Sequence, residues 1–170
     1  MVLKMLCPDV YLESIYDLDL DKLKKKGIKG IITDLDNTLI SWGEDTIYPS
    51  LSEWFEKLKE EGFKVCIVSN NSPDRVSLFA SNFDIPAVSG ATKPRRRPFR
   101  RALEKLEIKP EEAAVLGDQV FTDVLGGNRL GLFTILVIPV SPKEFIGTRV
   151  VRQIERYVLK ALKNRGMLPS

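Results

Sequence analysis

Gly30-Ile31-Ile32-Thr33-Asp34-Leu35-Asp36-Asn37-Thr38-Leu39 decides how the rest of the chain is read. Its first four residues show no polar alternation, the pattern of a strand buried on both faces. Two aspartates, spaced by one residue, follow at once. Strands of that kind belong to parallel sheets covered by helices, and chemistry in such sheets gathers just past the carboxyl ends of the strands. The reading then makes two demands on the remaining sequence. Strands and helices must alternate, and the polar residues after each apolar run must form one sensible set with Asp34 and Asp36.

The alternation is present. Residues 19–26 read as a short helix ending near Gly27, and 51–61 as a helix stopped by Gly62. A second strand is expected over 64–68 and a helix over 74–82, opened by Pro73. A short strand at 87–89, a helix at 98–106, a strand at 113–116 and a helix at 121–130 follow. The last strand covers 133–138, and a long helix covers 144–163 with an apolar stripe through Ile146, Val150, Ile154, Val158 and Leu162. The expected fold class is α/β: a Rossmann-like parallel sheet with helices on both faces. Residues 1–170 are expected to form one domain, with 1–28 and the terminal helix 144–164 packed on or beside its core.

Composition narrows the chemistry. With 44% apolar and 29% charged residues the chain has a globular balance, and a net charge of +3 is too mild to announce a nucleic-acid partner. There is no histidine, so catalytic histidine triads and histidine metal ligands are excluded. Acid–base work falls to carboxylates, lysine, tyrosine or cysteine. Cys7 and Cys66 have no metal or redox spacing; Cys66 lies in an apolar run and reads as a core residue. Cysteine usage suits a reducing cytoplasm. The longest apolar stretch, 131–140, contains Pro139 and falls short of the roughly 20 residues a spanning helix needs.

The strand-end residues do form a set. They are Asp34 and Asp36, then Ser69-Asn70-Asn71, then Lys93-Pro94, then Gly117-Asp118 with Asp123 five residues on. Phosphoryl transfer from a monoester needs a nucleophile, a proton donor for the leaving oxygen, a divalent cation and donors for the non-bridging oxygens. Asp34 can attack phosphorus and carry an aspartyl-phosphate. Asp36, two residues on, can protonate the leaving alcohol and later deprotonate water. Asp118 with Asp34 offers hard oxygen ligands for Mg²⁺. Ser69 can donate to a phosphate oxygen, and Lys93 supplies a point charge.

This series, Asp-Leu-Asp-Asn-Thr-Leu, Ser-Asn-Asn, Lys-Pro and Gly-Asp-x-x-x-x-Asp, resembles the haloacid dehalogenase superfamily of phosphatases, with all four motifs in order from Asp34 to Asp123. The resemblance implies Asp34 as nucleophile, Asp36 as acid/base that also gives its backbone carbonyl to Mg²⁺, Ser69 and Lys93 as phosphate ligands, and Asp118 as a metal ligand. It implies Asp123 as an indirect or water-mediated partner of the metal, and 40–49 as a small flap over the site. The gaps between motifs are too short for a cap domain, with only 23 residues between Ser69 and Lys93. An open site suited to a bulky or surface-bound phosphate is expected. Cys7-Pro8-Asp9 and Gly117-Asp118-Gln119 with Phe121-Thr122-Asp123 further resemble the short capless bacterial group called YqeG, similar to mitochondrial phosphatases of phosphatidylglycerophosphate. That resemblance implies a lipid headgroup substrate on the cytoplasmic leaflet, a cytoplasmic protein and peripheral contact with the membrane. A soluble phosphosugar, a nucleotide and a phosphoprotein are the other substrate readings.

Other readings compete locally. Asp17, Asp19 and Asp21 follow no apolar strand and read as a turn and helix start. A calcium loop at Asp34 fails because Leu39 stands where glycine is required. Asn70 reads as a loop-shaping residue or a phosphate contact. Trp42 reads as a flap contact to substrate or as packing. Arg95, Arg96 and Arg97, with Arg100 and Arg101, read as a solvated helix start or as a site for an anionic substrate or lipid headgroup. Arg152, Arg156, Lys160 and Lys163 read as a solvated face opposite the terminal stripe, or as one drawn to anionic lipid. A phospho-receiver domain would also phosphorylate Asp34, but Asp36 provides for turnover, which a receiver avoids. A silent scaffold would have no use for the full acidic set.

Overall fold

The computed structural model describes residues 2–169. At its centre is β2 (Gly30–Thr33), buried at every position. β3 (Lys64–Val68) lies on one side of it and β5 (Ala113–Gly117) on the other, both parallel. The sheet extends to β4 (Ala87–Val88) beyond β3, and to β6 (Phe133–Val137) and β1 (Val10–Leu12) beyond β5. All six strands are parallel, in the order β1-β6-β5-β2-β3-β4.

Alternate side chains of the strands feed two layers, as the two-residue period of a strand requires. Ile31, Val65, Ile67, Leu116 and Ile135 pack beneath α2 (Leu20–Lys25), α3 (Pro49–Glu60) and α4 (Pro73–Ser81). Ile32, Cys66, Val68 and Val115 pack beneath α5 (Arg96–Leu106) on the other face. Burial pushes the Cys66 thiol up to about 12, so it is an inert core residue. The short α6 (Leu125–Asn128) and the terminal α7 (Ile146–Asn164) complete that second face, and α1 (Val2–Met5) precedes β1.

Local sequence explains most boundaries. Asp19 caps α2 through the Lys22 N–H at 2.9 Å, so the acidic run there is a helix start. Pro49 and Pro73 stand in the first turns of α3 and α4, where a missing N–H costs nothing. No domain is inserted between β2 and α3 or between β3 and β4; residues 41–48 form a loop without helix or strand.

Three expectations change. The segment before residue 13 contributes an edge strand, β1, which sequence reading had left unassigned. The Asp9 carboxylate fixes it by accepting the Thr134 N–H at 2.8 Å. The helix expected over 121–130 is instead a π-helical turn, Val120–Val124, running into α6. The apolar stripe of the terminal helix turns inward only at its far end, at Val158 and Leu162. Ile146, Val150 and Ile154 are exposed; only Leu162 at the far end is fully buried. The face turned inward carries Arg152 and Glu155, because these two answer charges inside the protein.

Gly126 exists because Phe99 needs its space. A Cβ there would sit 2.3 Å from the Phe99 ring, which is buried in the second layer. Alanine should gain about 1 kcal/mol of helix propensity if space allowed. Gly126→Ala should instead destabilise by about 1–3 kcal/mol through overpacking, measured by urea unfolding. Unchanged or increased stability would mean that α6 and α5 do not pack as described.

Candidate active site

Four strand ends deliver the site. Asp34 follows β2 directly, its N–H donating to Leu116 O at 2.9 Å as a continuation of the sheet. Ser69 and Asn70 follow β3, Lys93 lies between β4 and α5, and Asp118 follows β5. The Lys93 ammonium is almost fully buried. It stands 3.0 Å from the Asp34 carboxylate and 2.6 Å from that of Asp123. Asp34, Asp118 and Asp123 each present a carboxylate oxygen within 4.8 Å of the other two. The π-helical turn swings Asp123 back over the sheet end. Gly117 leaves room for it, since a Cβ there would lie 2.2 Å from Asp123 Cγ.

Asp36 is not part of this cluster. Its carboxylate accepts from Asn71 Nδ2 at 2.9 Å and from Arg75 Nη2 at 2.8 Å, so both of its oxygens are held from the β3–α4 side. Arg75 also donates to Glu44 O and pairs with Asp45, tying the flap to the acid/base candidate. Asn70 Oδ1 accepts the Lys93 N–H at 2.9 Å, which joins the second motif to the third. Asp34, Asp36, Ser69, Asn70 and Lys93 all line one cleft of about 400 Å³, with Trp42 and Phe145 at its wall.

Electrostatics describe a cluster short of positive charge. Burial pushes the Asp34 carboxyl up to about 8, with Lys93 opposing and Asp123 and Asp118 adding to the rise. Burial likewise raises Asp118 to about 6, against the pull of Arg152. Burial alone would lower Lys93, but Asp123 and Asp34 outweigh it and hold the ammonium charged. Three converging hard oxygen donors with this deficit fit a divalent cation, and Mg²⁺ is one that takes few carboxylates.

Several residues of the site escaped sequence reading. Thr38 donates its hydroxyl to Asp118 Oδ1 at 2.8 Å. Asn37, with φ +59°, accepts the Trp42 N–H and donates to Lys143 O, so it joins the flap to the loop before α7. Arg152 pairs with Asp118, Glu144 and Glu155. It therefore belongs neither to a solvated face nor to one drawn to anionic lipid, but is the internal counterion of Asp118. No local sequence feature announced Arg75, whose partners lie 30 or more residues away, or the pairing of Arg152 with Asp118, 34 residues away. Arg95, Arg96 and Arg97 are exposed, and none of them forms an ion pair among the described residues.

A parallel α/β sheet that brings an aspartate at the end of its central strand, a buried lysine and a carboxylate cluster to one point is the arrangement of a hydrolase of the phosphatase type. The chain belongs to the haloacid dehalogenase-like hydrolases, whose family model matches residues 11–131. It is 49% identical over 166 residues to a protein of Bacillus subtilis (strain 168) named "Probable phosphatase YqeG", covering 98% of this chain and 96% of that protein. It is 28% identical over 173 residues to the chloroplastic/mitochondrial phosphatidylglycerophosphate phosphatase 1 of Arabidopsis thaliana, covering 95% of this chain but only 49% of that protein. Among solved structures, the fold is similar to an uncharacterized protein from Listeria monocytogenes serotype 4b, with a TM-score of 0.56 and 20% identity over 80% of this chain and 99% of that one.

The Arg152 pairing generates a stability prediction. Arg152→Ala leaves Asp118, Glu144 and Glu155 without their shared partner in a largely buried setting. The cost should be about 3–5 kcal/mol, read by denaturant unfolding without added metal. A loss below about 1 kcal/mol, the range of a surface pair, would contradict the internal-counterion role.

Proposed function

We propose that Asp34 is the nucleophile, Asp36 the acid/base, and phosphatidylglycerophosphate the substrate. The observation that carries the chemistry is the division of labour between the two aspartates. Asp34 sits in the cation-seeking cluster with Lys93, whereas Asp36 faces the same cleft but is held apart by Asn71 and Arg75.

Asp34 attacks phosphorus, and the bond from phosphorus to the alcohol oxygen breaks. Asp36, as general acid, delivers a proton to that oxygen. Asp36 then takes a proton from water as the water attacks the acyl-phosphate, and the bond from phosphorus to Asp34 breaks. The sum is one ester and one water converted to one alcohol and one phosphate. Lys93 stabilises charge on the transferring group, and the Ser69 hydroxyl and Asn70 amide meet its non-bridging oxygens. A Mg²⁺ ion held by Asp34 and Asp118, with Asp123 beside them and the Asp36 carbonyl as a further ligand, would offset the repulsion between carboxylate and phosphate. Arg75 and Asn71 fix the position of Asp36 for both proton transfers.

The lipid substrate is supported by three things together. The Arabidopsis relative carries that activity in its name. The cleft has no cap domain over it, so a headgroup can enter while its acyl chains stay outside. Trp42 and Phe145 give the cleft apolar walls. No helix among the described residues is long and apolar enough to cross a membrane; on this reading the substrate is met at a lipid surface.

Phosphate release should be measured on phosphatidylglycerophosphate in mixed micelles, beside glycerol 3-phosphate and a phosphopeptide, with Mg²⁺ and with chelator. The lipid should be hydrolysed fastest, chelation should stop release, and Asp34→Asn should abolish it while leaving the melting curve intact. Faster hydrolysis of a soluble ester would reject the lipid assignment. Undiminished release by Asp34→Asn would reject the nucleophile.

A further inference from the structure

α7 is unusual in what it shows to solvent. Its inward face carries Arg152, Glu155 and Leu162. Its outward half splits lengthwise into two strips, as side chains placed 100° apart around a helix dictate. One strip is apolar: Ile146, Val150, Ile154 and Tyr157, exposed between 52% for Ile154 and 76% for Ile146. The other is basic: Arg149, Arg156, Lys160 and Lys163, all exposed. The one acidic residue of the helix, Glu155, is buried. Nothing in the fold needs this arrangement, because exposed isoleucine, valine and tyrosine at these positions add no core. An apolar strip flanked by cations, without acids, is the form of a helix lying in the plane of an anionic lipid surface.

The apolar strip is continuous with the active site. Phe145, which caps the N-terminus of α7, is 63% exposed and also lines the cleft that holds Asp34 and Asp36. A second basic patch lies on the same side of the molecule. α5 and α7 cover the same face of the sheet, over Val115 and Leu136, which point the same way. α5 begins three residues after Lys93, and its first turn holds Arg96 and Arg97 beside Arg95. Cations in a helix's first turn oppose its dipole, so these three residues are not there for helix stability.

We infer that the outward strips of α7, together with Arg95, Arg96 and Arg97, seat the enzyme on an anionic lipid leaflet, with α7 in the interfacial plane and the cleft opening at the leaflet. This rests on the lipid-phosphate reading above and gives it a geometry. A second copy of the chain is a poorer occupant, because laying this face on its twin brings two sets of unpaired cations together.

The test is flotation of the full chain with vesicles of phosphatidylcholine alone or with added phosphatidylglycerol. Three variants are compared with the unaltered chain: Val150→Gln/Ile154→Gln/Tyr157→Gln, Arg149→Glu/Arg156→Glu, and Arg95→Gln/Arg96→Gln/Arg97→Gln. All the altered side chains are exposed, and glutamine keeps helix propensity. The unaltered chain should bind vesicles containing phosphatidylglycerol, and salt should weaken that binding. Each of the two α7 variants should lose about tenfold or more of it, with hydrolysis of soluble nitrophenyl phosphate unchanged. Binding that is absent, that ignores lipid charge, or that survives in both α7 variants overturns the proposal. So does a dimer in light scattering that the glutamine variant of α7 dissolves. Hydrolysis of phosphatidylglycerophosphate in micelles without vesicle binding overturns the docking face alone. Vesicle binding without release from any lipid phosphate supports the docking face and removes the lipid-substrate reading instead.

Discussion

The buried Lys93 ammonium, 3.0 Å from Asp34 and 2.6 Å from Asp123, is the contact on which the site depends. Parallel strands converge their carboxyl ends, and here they converge carboxylates. Burying several of these together is unfavourable unless cations answer them. Lys93 does so from inside the cleft and Arg152 from the terminal helix behind it. Burial still holds the carboxyls of Asp34 and Asp118 above the usual carboxylate range, and the three converging carboxylates suit a divalent cation. The fold's other choices follow from this. Gly117 is small so that Asp123 can return to the cluster, and the π-helical turn supplies the extra residue that brings it there.

The central strands and the site residues were legible because their information is local. β2 is apolar throughout and its acids follow immediately; the same holds for Ser69 after β3 and Asp118 after β5. Each motif could be placed at a strand end before any contact was known, and the structure brings Asp34, Asp36, Ser69, Asn70 and Lys93 to one cleft. Asp118 and Asp123 join Asp34 in the acid cluster beside it. Lack of a cap domain was also legible, since it is a matter of counting residues between motifs.

What was not legible depends on partners distant in sequence. A stripe of Ile146, Val150 and Ile154 ordinarily turns inward, and by pattern alone that is the sound reading. It fails because the opposite face carries Arg152 and Glu155. Arg152 answers Asp118 and Glu144, and the Phe121 N–H donates to Glu155 at 3.1 Å. Satisfying buried charge outweighed burying three aliphatic side chains, each worth a few kcal/mol at most. β1 was missed because three residues are too few to show a period, and its place is set by Asp9 against Thr134. Arg75 escaped for the same reason as Arg152: an arginine near a helix start reads as surface until the flap and Asp36 are seen on either side of it.

If Asp34 carries the phosphoryl group and Asp36 moves the protons, the phosphorylated aspartate can be trapped. Asp36→Asn keeps the shape of the side chain but can neither give nor take a proton. General acid–base help is worth about 10²- to 10⁴-fold per step, and a nitrophenolate leaving group has little need of the first step. The variant, mixed with nitrophenyl phosphate and Mg²⁺, should therefore release one burst of nitrophenolate and stall. Mass spectrometry of the acid-quenched protein should then place a single phosphate on Asp34. Steady turnover at the unaltered rate, or a phosphate on any other residue, would contradict the account.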